Sequence, residues 1–522
     1  MERGNDVKEE RGSWGSNIGF LLAAIGSAVG LGNIWGFPYK MGRSGGFTFL
    51  IIYVLLAFFI GFSIMMAELA MGRRTGKGTI ITYHRLTGRF KWVGWLAVFA
   101  PFVIMSFYSV LGGYCIEYMS LNLRDLAFGR AETASGTDLF SAMLNDPFGA
   151  LMFTLLFMLI CYLINRGGIS GGIEKFNNVG MPALFVMLVI IIIRSVTLPG
   201  AAEGLKFMFL PGYAVEAGFI EEAPSIGSVM ATAGGQMFFS LSLAMGVMIT
   251  YGSYLDKKED LVKNSAVIVF ADTLVALMAG LAVIPAAVAT HGPGATLSGP
   301  KLLFITLQDV FSTMGAIGPL FGVIFYLLVL IAAISSAISL IEVVVTFFLD
   351  RASEKGRPAS RPRVVLLVCL AIMVEAAVVA VDGLGVNPLG IWVPFQESLG
   401  VIGSFNDSWL DLMDCLSEGL AMPLGALLMS VMVGWEIGSR TVLEEIHRSS
   451  SAKWVDTFLT FCLKFVVPVA MAFILGGQIG DYFTTDPETQ GQMVYYIGYA
   501  IGGAILLVAW VLAFTSPKRR KV

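Results

Sequence analysis

Charged side chains are scarce in this 522-residue chain: Lys, Arg, Asp and Glu together make up 14%, against about a quarter in a soluble protein. Apolar residues reach 56%, and the mean hydropathy is +0.78. No soluble core hides that much apolar surface, because even a large domain must face water with polar groups. The deficit excludes a soluble enzyme, a nucleic-acid-binding protein and a disordered chain. A net charge of −3 leaves no basic field for nucleic acid. Histidine is rarer still: His84, His291 and His447 lie far apart and suggest neither a metal cluster nor a catalytic triad. The five cysteines (Cys115, Cys161, Cys369, Cys415, Cys462) are odd in number and sit in or beside apolar runs. They suit core packing better than a disulfide framework or a zinc site. The glycine-rich GGISGG at 167–172 lacks the ending of a phosphate loop. The charged start, MERGNDVKEERG, is not followed by a short apolar stretch and cleavage site, so the first hydrophobic segment reads as a permanent helix.

What is present is a series of apolar runs long enough to cross a bilayer, which takes about 20 residues. They fall near 14–40, 46–71, 92–120, 147–165, 174–197, 226–254, 262–288, 313–349, 364–381, 408–435, 454–475 and 492–515, predicting twelve transmembrane helices. Lys and Arg collect in alternate gaps: Arg73, Arg74, Lys77, Arg85, Arg89 and Lys91, then Lys257, Lys258 and Lys263, then Arg351 to Arg363, and the tail Lys518 to Lys521. The gaps after the ninth and eleventh runs contain neither residue. The positive-inside rule then places both termini in the cytoplasm, and the compact tails suggest a prokaryotic inner membrane.

Two runs are interrupted where lipid tolerates no free backbone. GSAVGLGNIWGFP (26–38) has four glycines, an asparagine and a proline; GGQMFFSLSLAMG (234–246) has three glycines, two serines and a glutamine. Unwound backbone at membrane depth survives only when buried in protein or lining a cavity. A packing motif of small residues could explain either break alone. The first and sixth runs, however, occupy matching positions of two five-helix halves. Paired broken helices point to a carrier's binding site near the midplane. Half-helix N-termini suit a carboxylate, and half-helix C-termini suit Na⁺ or an ammonium group.

The segments AAIGSAVGLGNIWGFPY (23–39), ELAMGR (68–73), GIEKFNNVGMP (172–182), GQMFFSLSLAMGVMITYGSY (235–254) and AISSAISLIE (333–342) resemble the neurotransmitter:sodium symporters, from about residue 11 through the tenth run. The resemblance implies an all-α membrane protein of the LeuT fold. A cytoplasmic tail (1–13) would precede a first inverted repeat (14–197), an extracellular loop (198–225), a second repeat (226–435), peripheral helices (436–515) and a basic tail (516–522). It further implies a first sodium site at Ala28, Asn33, Ser240 and Asp272, and a second at Gly26, Val29, Ala332, Ser335 and Ser336. The substrate carboxylate would meet the N–H groups of Leu31 and Gly32 and the Tyr108 hydroxyl. The ammonium would face Ala28, Phe239, Ser240 and Ser242, under the Phe239 ring. Ser27, Ile104, Phe239, Met245, Ser336 and Leu340 would line a side-chain pocket without fixed charge, suited to a neutral, hydrophobic or aromatic amino acid. Flexible Met245 replaces the phenylalanine of some relatives.

An acid at membrane depth is a functional hypothesis by default. Asp272 is the one charged side chain between Lys263 and Lys301. By the resemblance it would supply the charge that chloride supplies elsewhere, so one or two Na⁺ ions and no chloride are expected, with no obligatory protein partner. Glu68 would brace the unwound sixth helix, and Glu342 follows the serine pair. Arg11 and Asp350 match the cytoplasmic gate, with Trp14 and Tyr254 beside it. At the outer gate Gly36 replaces the family's arginine, and either Lys40, one turn later, or a bridging water would face Asp414 in its stead. Proton-coupled carriage and a ligand-gated channel or sensor are the rival readings. An enzyme is not expected.

Overall fold

The computed structural model describes residues 12–129, 135–292, 299–357, 359–390, 408–483 and 491–516. Among these every regular element is helical. The first is α1 (Asn17–Ala28), started by Ser16, whose hydroxyl accepts from Gly19 N–H at 2.9 Å. It stops where Val29 turns to extended backbone. The chain re-forms as α2 (Gly32–Arg43), bent 46° from α1. Then come α3 (Phe47–Thr75), α4 (Val93–Phe128), α5 (Pro147–Asn165) and α6 (Ile169–Val196).

The second break separates α7 (Ile226–Ser240) from α8 (Val247–Gly252). Between them Ser242 and Ala244 have φ of 52° and 60°, and Gly246 has 73°. A non-glycine residue in this left-handed region costs roughly 1 kcal/mol or more. The Glu68 carboxylate on α3 holds the turn by accepting from Ala244 N–H at 2.9 Å. The remaining long helices are α9 (Leu261–His291), α10 (Gly315–Glu354), α11 (Arg361–Asp382), α12 (Trp409–Glu436), α13 (Trp454–Asp481) and α14 (Met493–Phe514), with shorter helices in the connections.

By length and hydropathy, ten described helices can each cross a membrane, eleven if α1 and α2 count as one span. The expected twelfth lies in the run 226–254, where neither α7 nor the six-residue α8 is long enough alone. The chain is therefore a multi-pass membrane protein. Its core is built around α4, α10 and the broken elements, whereas α5, α6, α11 and α14 turn large apolar side chains outward. Leu367 and Val374 on α11 are typical, each about 70% exposed. Lipid is the medium that satisfies such faces.

Candidate functional site

The two breaks face each other across a narrow cavity of about 20 Å³. α1 and α2 contribute Ser27, Ala28, Gly30 and Gly32; α4 contributes Ile104 and Tyr108. Phe239, Ser242 and Met245 come from the second break, and Ser336 and Leu340 from α10. None of these side chains carries charge. Close approach explains two glycines: a Cβ on Gly30 would lie 2.4 Å from Ser336 Oγ, and one on Gly32 would lie 2.6 Å from the Phe239 ring. Leu31 N–H donates to Tyr108 Oη at 3.1 Å, so the free N–H end of α2 and the phenol already share a locus. Ser242 Oγ donates to the Ser27 carbonyl at 2.9 Å, and Ser27 Oγ lies 2.7 Å from Ser339 Oγ. Of the proposed substrate contacts, Leu31 and Ser240 do not line the cavity wall; Leu31 contributes its backbone, and Ser240 turns to the cluster described next.

That cluster is buried and centred on Asp272. Asn33 Nδ2 donates to Asp272 Oδ1 at 2.8 Å, and Asn33 Oδ1 accepts from Gly30 N–H at 3.1 Å. Ser240 Oγ lies 2.9 and 3.0 Å from the two Asp272 oxygens. Tyr53 Oη, from α3, stands 3.2 Å from Ser240 Oγ and 3.3 Å from Asp272 Oδ2. Asn33, Ser240 and Asp272 thus come together, with Ala28 at the adjacent cavity wall. On the other side of α1, Ser335 Oγ lies 2.8 Å from the Ala332 carbonyl and 3.5 Å from that of Val29. Ser336 Oγ is 3.0 Å from the Ser27 carbonyl and 3.4 Å from that of Gly26. Neutral oxygens alone, from two helices, suit a hard monovalent cation.

Phe239 and Gly32 also border a wider vestibule of about 410 Å³. Here the outer pairing differs from expectation. Lys40 forms an ion pair with Glu418 rather than with Asp414, one turn away on the same face of α12. Asp414, Asp411 and Asp481 line the same space. The place left by the missing arginine is taken by Gln236: its Nε2 donates to the Gly32 carbonyl at 2.7 Å, and a Cβ on Gly36 would lie 2.7 Å from its Oε1.

The opposite end is packed shut. Trp14 Nε1 donates to the Tyr251 carbonyl at 3.1 Å, with the rings edge-on at 5.0 Å. Tyr254 Oη donates to Glu342 at 3.0 Å, Glu342 is paired with Arg361, and Arg361 Nε reaches the Asn165 carbonyl at 3.0 Å. Asp350 accepts from Gly78 N–H at 2.7 Å, with Lys77 3.7 Å away. Arg11 lies outside the described residues.

Sequence reasoning missed Tyr53, Gly30, Gln236, Glu418 and Arg361. Glu418 was within reach, being an acid inside an apolar run. Arg361 was read as a loop cation. Tyr53 sits in an unbroken apolar run and gave no signal.

A helical bundle interrupted after Ala28 and again after Ser240, with a cavity between the interruptions and oxygen-rich clusters beside it, is the arrangement of a membrane carrier. The comparisons with known proteins make this specific. Residues 11–142 and 140–516 match the Sodium:neurotransmitter symporter family, and the chain belongs to it. It is 34% identical over 473 residues to the uncharacterized sodium-dependent transporter YhdH of Bacillus subtilis, covering 90% of this chain and 97% of that one. The uncharacterized sodium-dependent transporter MJ1319 of Methanocaldococcus jannaschii is 28% identical, covering 98% and 99%. Among solved structures, MhsT in complex with L-phenylalanine superposes with a TM-score of 0.76 at 32% identity, over 90% of this chain and all of that one. The chain is therefore a sodium-dependent transporter of a small molecule, not an enzyme.

Proposed function

We propose that this transporter carries a neutral, hydrophobic or aromatic L-amino acid together with Na⁺, by alternating access and without chloride. The observation that carries the reading is the cavity between the breaks, whose lining offers hydroxyls, backbone groups and apolar side chains but no charge. A zwitterion's carboxylate fits the Leu31 and Gly32 N–H groups with Tyr108, and its ammonium fits the Ala28 side with Ser242. A side chain without charge fits Ile104, Met245 and Leu340. The L-phenylalanine bound by MhsT supports the same class.

Asn33, Ser240 and Asp272 with Ala28 form the first sodium site in this reading. Gly26, Val29, Ala332, Ser335 and Ser336 form the second. The Asp272 carboxylate provides a fixed anion beside the first ion, which is the argument against a chloride requirement. Counting each broken pair as one span gives twelve helices, arranged as repeats over 14–197 and 226–435. The arginine-rich gaps support cytoplasmic termini in an inner membrane.

Uptake into proteoliposomes, with a panel of amino acids and with Na⁺ and Cl⁻ replaced in turn, tests all parts. Sodium-dependent uptake of Phe, Leu, Trp or Met that persists in gluconate is expected. Sodium-independent uptake overturns the coupling, uptake of charged amino acids alone overturns the substrate class, and collapse without chloride overturns the role of Asp272.

A further inference from the structure

A second concave surface lies away from the transport site, on the outer side of the bundle. α4, α10 and α11 border a groove of about 430 Å³, lined by Trp95, Phe102, Phe347, Phe348, Val368 and Ala371 with other apolar residues. Trp95, Phe348 and Leu367 are each at least 47% exposed along it. On α4 its lining runs from Trp95 to Phe102, a rise of about 10 Å. Trp95 stacks edge-on against Phe347 at 5.0 Å, and a tryptophan near a helix end is the usual marker of the headgroup level.

Three cations lie close in sequence to residues that line that end. Arg351, one turn past Phe347, holds its guanidinium 5.8 Å from the Phe347 ring. Arg363 directly precedes Val364, which lines the groove, and Lys91 lies one turn before Trp95. Glu354, the acid at the end of α10, is paired with Arg85. No ion pair among the described residues engages Arg351, Arg363 or Lys91.

We propose that this groove is a binding site for an anionic phospholipid, with the acyl chain against the aromatic wall and the phosphate among Lys91, Arg351 and Arg363. The apolar depth suits any lipid tail; the basic mouth selects the headgroup. A lipid seated there wedges between α10, which carries Ser335 and Ser336, and its neighbours α4 and α11.

The test is native mass spectrometry of the full chain released from nanodiscs holding phosphatidylcholine and phosphatidylglycerol in known ratio. Wild type should retain the anionic lipid with about tenfold enrichment over that ratio. The triple variant K91Q/R351Q/R363Q should keep a bound lipid but lose the enrichment. Ala371→Trp, which fills the groove from an exposed position, should shed lipid of both classes; Leu367→Trp does the same if the first folds poorly. Wild-type retention without anionic preference, enrichment undiminished in the triple variant, or lipid binding unaffected by both tryptophans would each overturn the proposal.

Discussion

The two oxygen clusters flanking α1 are built on opposite principles. One gathers Asn33, Ser240 and Tyr53 around the carboxylate of Asp272, fully buried. The other has only the hydroxyls of Ser335 and Ser336 facing backbone carbonyls of α1. A buried carboxylate without a cation is costly, whereas neutral hydroxyls and carbonyls satisfy one another when empty. The first cluster therefore has a strong demand for positive charge or a proton, and the second only a shape. The contrast teaches that the two clusters differ in electrostatic demand, one anchored on a carboxylate and the other on neutral dipoles alone.

Replacing Asp272 by Asn probes the charge itself and carries the largest expected effect. Sodium-driven uptake should fall at least tenfold, in line with losing a charge-assisted partner worth roughly 1.5–3 kcal/mol, and chloride should restore part of it. Equal uptake in wild type and variant, with or without chloride, breaks the comparison. At the neutral cluster, Ser336→Ala removes one hydroxyl. A loss of about fivefold in apparent sodium affinity is expected, at unchanged chloride response, as for a neutral hydrogen bond of about 1 kcal/mol. A chloride response there would erase the distinction.

Lys40→Ala lies outside both clusters, at the vestibule. Its ion pair with Glu418 is partly screened, so substrate affinity should weaken by no more than about fivefold, and Glu418→Gln should behave alike. Asp414→Asn having the larger effect would return the outer gate to the position expected from the sequence.

The smallest effect belongs to His447, which sits in the connection before α13, beyond the spans. Its ring lies 3.1 Å from the Ser450 carbonyl and 2.5 Å from Asp456, which together raise its pKa. A raised pKa means that the clasp stabilises fully below the unfolded value and is lost as pH climbs through the folded one. The melting temperature in detergent should drop slightly as pH rises above the ordinary histidine pKa of about 6.5. His447→Gln should flatten that slope without changing uptake. An unchanged slope refutes it, and the variant serves as the control that separates stability from ion coupling.

The breaks were legible because glycine, asparagine and proline inside a lipid-length run contradict the local rule for a span. Asp272 was legible for the same reason, as an acid where no acid belongs. Tyr53 was not, since a tyrosine amid apolar neighbours violates nothing; its role depends on α3 passing α7 and α9, which is tertiary information. The Lys40 pairing was misread because a lysine and two acids, Asp414 and Glu418, offer alternatives that only packing can choose between. The sixth run is the converse case, continuous in hydropathy over 226–254 but divided in the fold. α8 is apolar but too short to be recognised alone, and only its packing beside α3 shows where the chain continues.

One long rod, α10, bears Ser335 and Ser336, the cavity residue Leu340, Glu342 with its Arg361 partner, and Asp350. At 1.5 Å per residue, Ser335 and Asp350 are about 22 Å apart with no break between them. Such a helix behaves as a lever: a tilt of a few degrees at the serines sweeps the far carboxylate sideways by an ångström or more. A displacement of the Ser335–Ser336 end of this stiff arm is therefore also a displacement of Glu342 and Asp350.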